Sequence, residues 1–87
     1  MNREELNTAM WIYRSAFENS TRTPRSEAYK MGARCALCAM FCGESIQQPP
    51  YSIGSAEFDA WEAGRTEGMM LWRQAMEERR GASHGAA

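Results

Sequence analysis

Three thiols fall within eight residues, spaced Cys35-x-x-Cys38-x-x-x-Cys42. This is the sharpest chemical signal in the chain. Positions three and seven apart lie on roughly one face of a helix, and His84 could complete a Cys3His zinc set. Structural zinc sites more often place their first cysteines on a turn, whereas here alanines, leucine and methionine surround them and nothing breaks the helix. The thiols therefore read first as part of a buried small-residue face, with metal binding by Cys35, Cys38, Cys42 and His84 as the alternative. Three close cysteines also make a poor disulfide framework, so reduced thiols in a reducing compartment are expected.

Phosphate or an acidic partner is the second chemistry on offer. Arg22, Arg25, Lys30 and Arg34 cluster with only Glu27 opposing them. Cations near the start of a helix oppose its dipole, which favours some use for them there; an ordinary solvated face is the plainer account. Trp11, Trp61 and Trp72 could form a ligand box or a protein-binding patch, although tryptophans in a thin core usually pack. Trp11 lies off the main apolar stripe and is the expected exposed anchor for a partner. Seven methionines, Met69-Met70 among them, suit an adaptable apolar surface or fill gaps. His84 is the only histidine, and neither a nucleophile–base pair nor paired carboxylates emerge, so an enzyme is not expected.

Eighty-seven residues allow one domain with a thin core, and 44% apolar content argues against wholesale disorder. No apolar run is long enough to span a membrane. The opening MNREELNTAM is polar and acidic, without the apolar core of a signal peptide, so a cytoplasmic location is expected. Net charge is −1. Residues 1–43 carry six basic and four acidic side chains, residues 44–87 four basic and seven acidic. A dedicated nucleic-acid binder is usually strongly basic, and this chain is not.

The elements that must position these residues are helices. Asn2 followed by Glu5 is a capping box, and Leu6, Met10, Tyr13 and Phe17 recur at helical spacing, which predicts helix one over 3–18. Thr23 as cap and Pro24 at the first helical position predict helix two over 24–42, with Gly43 closing it. Pro49 and Pro50 fix an extended connector. Ser55 then caps a third helix predicted over 55–80, with Gly81 ending it and 81–87 a frayed tail. Gly32, Gly64 and Gly68 in helix interiors each cost about 1 kcal/mol relative to alanine, unless two helices use the missing side chains to approach closely. The predicted fold is all-α: one small three-helix domain whose second and third helices form an antiparallel pair. Tyr51, held by the prolines, would cap their crossing beside Trp61.

The run AYKMG at 28–32, PPY at 49–51 and W-x-x-G at 61–64 resemble the ribosome modulation factor and CrpP-like family of small bacterial proteins. The matching positions are Ala28, Gly32, Pro50, Tyr51, Trp61 and Gly64, with Pro49 and Gly68 beside them, and the similarity covers about residues 26–76. Arg65 stands where the family has an aromatic, the cysteine-bearing insertion lengthens the helix–turn spacing, and helix one is an addition. The resemblance implies ribosome or rRNA binding that modulates translation. On that reading Arg22, Arg25, Lys30 and Arg34 would make the contact. The family's association with ATP-dependent drug modification is not carried over, since no phosphate-cradling glycine loop or carboxylate cluster is visible. The rival expectation is a protein-binding regulator or inhibitor, of the kind mobile elements encode, acting on a host complex through Trp11 and the acidic part of helix three. No cofactor is expected under either reading. Apolar surface around helix two makes a homodimer credible for so small a core.

Overall fold

The computed structural model describes residues 3–18, 24–46 and 48–85, the last four by main chain only. Three helices account for most of them: α1 (Arg3–Phe17), α2 (Glu27–Cys42) and α3 (Ala56–Gly85). No strand occurs among the described residues, and none of these helices is long and apolar enough to cross a membrane. The fold class is all-α, with α2 and α3 packed closely together.

Each boundary has a local cause. Glu4 and Glu5 lie in the first turn of α1 and Arg14 in its last, both favourable to the helix dipole. The start of α2 differs from the expectation. The cap is Ser26, whose hydroxyl accepts from the Tyr29 amide at 3.2 Å, so the helix begins at Glu27 rather than residue 24. Ser26 offers the same capping oxygen as Thr23 and lies immediately before the apolar run, which leaves Pro24 ahead of the helix. Thr23 and Asn2, the other expected caps, lie outside the described residues. Gly43 ends α2 in the left-handed region (φ 72°), and the Glu44 amide returns to the Ala39 carbonyl. Ser55 caps α3 by accepting from the Phe58 amide at 3.1 Å. Gly81 does not terminate α3, which continues to Gly85, so a frayed tail from residue 81 is corrected. Glycine costs a helix about 1 kcal/mol, too little to stop one that is already propagating.

The crossing of α2 and α3 is built from absent side chains. A Cβ at Gly64 would overlap the carbonyl of Tyr29, and one at Gly32 would overlap the carbonyl of Trp61. At Gly68 it would fall 2.5 Å from the Ala33 carbonyl oxygen and 2.9 Å from the Ala36 Cβ. The two backbones therefore touch directly, with glycine hydrogens facing carbonyls as in weak Cα–H···O contacts. Ala28, Ala33, Ala36 and Trp61 are buried here.

These pairings also fix the sense of the helices, and it is not the expected one. Tyr29 meets Gly64, Ala36 meets Gly68, and Phe41 lies under Arg79. Residue numbers rise together, so α2 and α3 run parallel and the expected antiparallel pair is corrected. The connector makes this possible. α2 is about 24 Å long, and the thirteen residues from Gly43 to Ser55 could span up to about 43 Å if extended. The chain thus runs back along α2 before α3 begins. Tyr51, half-buried, lines a shallow pocket with Glu27, Ala28, Ala56 and Ala60, where both helices start.

α1 runs opposite to both. Its last aromatic, Phe17, meets Tyr29 near the start of α2 with ring centroids 6.1 Å apart. Its Ala9 and Tyr13 join Leu37 and Phe41 in the core, against which Leu71, Trp72, Ala75 and Met76 of α3 pack.

Candidate functional site

The basic cluster is only partly brought together. Arg22 lies outside the described residues. The guanidinium of Arg25 lies over the Tyr29 ring, 4.7 Å from its centroid. Lys30 is held by Glu27 at 2.8 Å, and that hydrogen-bonded carboxylate raises the ammonium above its ordinary pKa. Arg34 is exposed and borders a cavity of about 300 Å³ with Met31, Cys35, Cys38 and Glu44. Two of these three cations thus already have neighbours within α2 or at its start.

Cys35, Cys38 and Cys42 are free and half-buried on one side of α2. Burial, reinforced by Cys42, pushes the Cys38 thiol up, and Arg34 offsets this in part. Desolvation favours the neutral thiol over the thiolate that would bind metal. Among the described residues, no three His, Cys, Asp or Glu side chains are placed to hold a metal ion. The side chain of His84 lies outside them.

The third candidate is Trp11, whose surroundings differ in kind. Its indole is 70% exposed. α1 packs on α2 far more than on α3, which leaves a furrow between α1 and α3. One basin of about 250 Å³ is bordered by Trp11, Ile12, Ala16, Leu71, Ala75 and Glu78. A neighbouring basin of about 330 Å³ shares Trp11, Ile12, Ala75 and Glu78 and adds Thr8 and Arg79. Trp11 is therefore the raised lip of an apolar trench rather than an isolated surface aromatic. Ile12, Leu71 and Ala75 pack against the core as their helical spacing predicts, but each also borders the furrow, which that spacing does not reveal; Gln74, exposed beside them, carried no signal in the sequence. The other two tryptophans pack: Trp61 is buried at the crossing and Trp72 lies half-buried against the core.

Tyr29 ties the candidate faces together. Its ring meets Phe17 of α1 and carries Arg25, its carbonyl faces Gly64, and its hydroxyl donates to the Glu67 carboxylate of α3. No protein-family model matches this chain, and no curated protein or solved structure matches it significantly.

Proposed function

We propose that this chain is a non-enzymatic binding protein that regulates or inhibits a partner protein through Trp11 and the furrow between α1 and α3. The observation that carries the reading is the exposure of Trp11 beside an apolar trench. Tryptophan is among the residues most enriched in binding hot spots, and exposed apolar surface of this kind usually marks an interaction site. The furrow is lined mainly by groups suited to packing, not to moving protons or forming covalent intermediates. The basic face supports phosphate binding less well, since Lys30 is paired with Glu27, Arg25 rests on Tyr29 and the net charge is −1.

A second reading is a ribosome-associated modulator contacting rRNA or ribosomal protein through Arg25, Lys30 and Arg34. One observation favours it. Ala28, Gly32, Trp61 and Gly64, four positions that resemble the ribosome modulation factor family, are all buried where α2 and α3 meet.

Photocrosslinking in a native cell extract separates the two. With the crosslinker at Ser15, inside the furrow, a protein adduct is expected. An RNA adduct from position 34 would favour the second reading instead. So would salt-sensitive pelleting with ribosomes that is lost in an Arg25→Ala/Arg34→Ala variant but kept in Trp11→Ala.

A further inference from the structure

The furrow does not stop where α1 ends. Leu71 and Gln74 are shared with a third shallow basin, of about 460 Å³, which extends along α3 past Glu67 to Ala63 and Tyr29. One face of α3, from Ala63 to Arg79, is thus the floor of a continuous depression. At 1.5 Å per residue that floor is about 24 Å long, or a little over four helical turns. These are the dimensions of sites that receive an amphipathic helix through anchors at i, i+3, i+4 and i+7. Trp11 stands over one part of the depression and Met70, 54% exposed, over the other.

Charge gives the depression a direction. Glu78 borders both basins beside Trp11 and makes no salt bridge among the described residues. The neighbouring cation, Arg79, borders the second of these basins but not the first, and its guanidinium also lies over the Phe41 ring, 5.7 Å from the centroid. A carboxylate next to an exposed indole, at the edge of an apolar trench, suits an incoming cation: one neighbour offers an ion pair, the other a cation–π contact. α2 of a second copy fits poorly as the incoming helix. The cation-bearing outer face of α2 carries Met31 as its one exposed large apolar side chain among the described residues, too few for anchors on successive turns.

Resting on the protein-binding reading above, we propose that the depression receives an amphipathic helix of about four turns from a partner protein, with a Lys or Arg of that helix meeting Glu78 beside Trp11. The apolar stripe of the helix lies between α1 and α3 and continues over Met70.

The test is an NMR titration of the full chain with an 18-residue synthetic helical peptide. The peptide carries leucines at i, i+3, i+4 and i+7 and lysines on the flanking positions; a matched peptide carries glutamates there. The lysine peptide is expected to shift the signals of the Trp11 indole, Ala75 and Met70. Its affinity should fall at least tenfold in Trp11→Ala and in Glu78→Lys, and the glutamate peptide should bind at least tenfold more weakly. Shifts confined to the Met31–Arg34 face would overturn the assignment, as would an affinity unchanged within twofold in Glu78→Lys. Self-association of the free chain that is abolished by Trp11→Ala would overturn it in favour of a second copy. A protein crosslink from Ser15 without binding of the lysine peptide would sink the helix assignment alone, whereas absence of both would sink the protein-binding reading with it.

Discussion

The Tyr29 hydroxyl donates to the Glu67 carboxylate across the α2–α3 crossing, while the carbonyl of the same tyrosine faces Gly64 one turn earlier on α3. Main chain and side chain of one residue thus fix both the distance and the register of the two helices. A hydrogen bond to a charged acceptor contributes about 1.5–3 kcal/mol. Tyr29→Phe should lower stability by about that amount, less whatever water recovers at this half-buried position. Glu67→Gln, which keeps an acceptor, should cost less. Urea denaturation of the two variants measures the difference, and an equal loss in both would mean that the bond depends on the acceptor's charge and not merely on its presence.

The same glycine-to-alanine change should have opposite effects at two places in α3. At Gly64 the added methyl meets backbone that cannot turn away, so a loss of about 1–3 kcal/mol is expected. For a domain of this size that lowers Tm by roughly 4–24 °C. At Gly81 the methyl meets open space, and Gly81→Ala should leave Tm unchanged or raise it slightly. Thermal melts of both variants are the check; a Gly64→Ala protein that melts like the parent would contradict the close crossing.

The raised pKa of Cys38 predicts a pH effect with a definite sign. Burial keeps the folded thiol protonated where the unfolded thiol would ionise. The contribution is therefore fully present below the ordinary thiol pKa and is lost as pH rises through the folded value. Stability measured from pH 7 to 10 should decline more steeply in the parent than in Cys38→Ala. Alkylation of Cys38 by iodoacetamide should also lag behind that of a free thiol at pH 8.

Trp11 should be silent for stability. An indole this exposed adds little to the core, so Trp11→Ala is expected to change unfolding free energy by no more than about 0.5 kcal/mol. Partner binding should nonetheless weaken at least tenfold. A large drop in Tm would instead make Trp11 a packing residue.

Ser26→Ala tests the start of α2. Loss of a capping oxygen typically costs about 1 kcal/mol, readable in the same denaturation series. A variant as stable as the parent would argue against Ser26 as the cap.

What could be read from the residues is what local chemistry decides. The Ser55 cap, the left-handed Gly43 and the apolar spacing of α1 each follow from the residues immediately around them. The competition between Thr23 and Ser26 could not be settled that way, since both are hydroxyls ahead of the same apolar run. Gly81 misled because a single glycine weakens a helix without stopping it. The parallel sense of α2 and α3 was hidden for a different reason: a proline-stiffened connector permits either a turn or a return, and only the succession of pairings, Tyr29 with Gly64 and then Ala33 with Gly68, chooses. The furrow was illegible for a related reason. Ile12, Leu71 and Ala75 are spaced as core residues, and their position at an open edge depends on α1 leaning toward α2.

The shared direction of α2 and α3 bears on how the chain folds. In a helical hairpin, contacts near the turn form first and the rest zip up behind them. Here Tyr29 and Gly64 are 35 residues apart in the chain, and so are Ala33 and Gly68. Pairs along the crossing are nearly equal in cost to close, because loop entropy varies only slowly with separation and the separation does not shrink toward a turn along the seam. The third helix should therefore dock in one cooperative step, with folding slower than expected for a helical protein of this size.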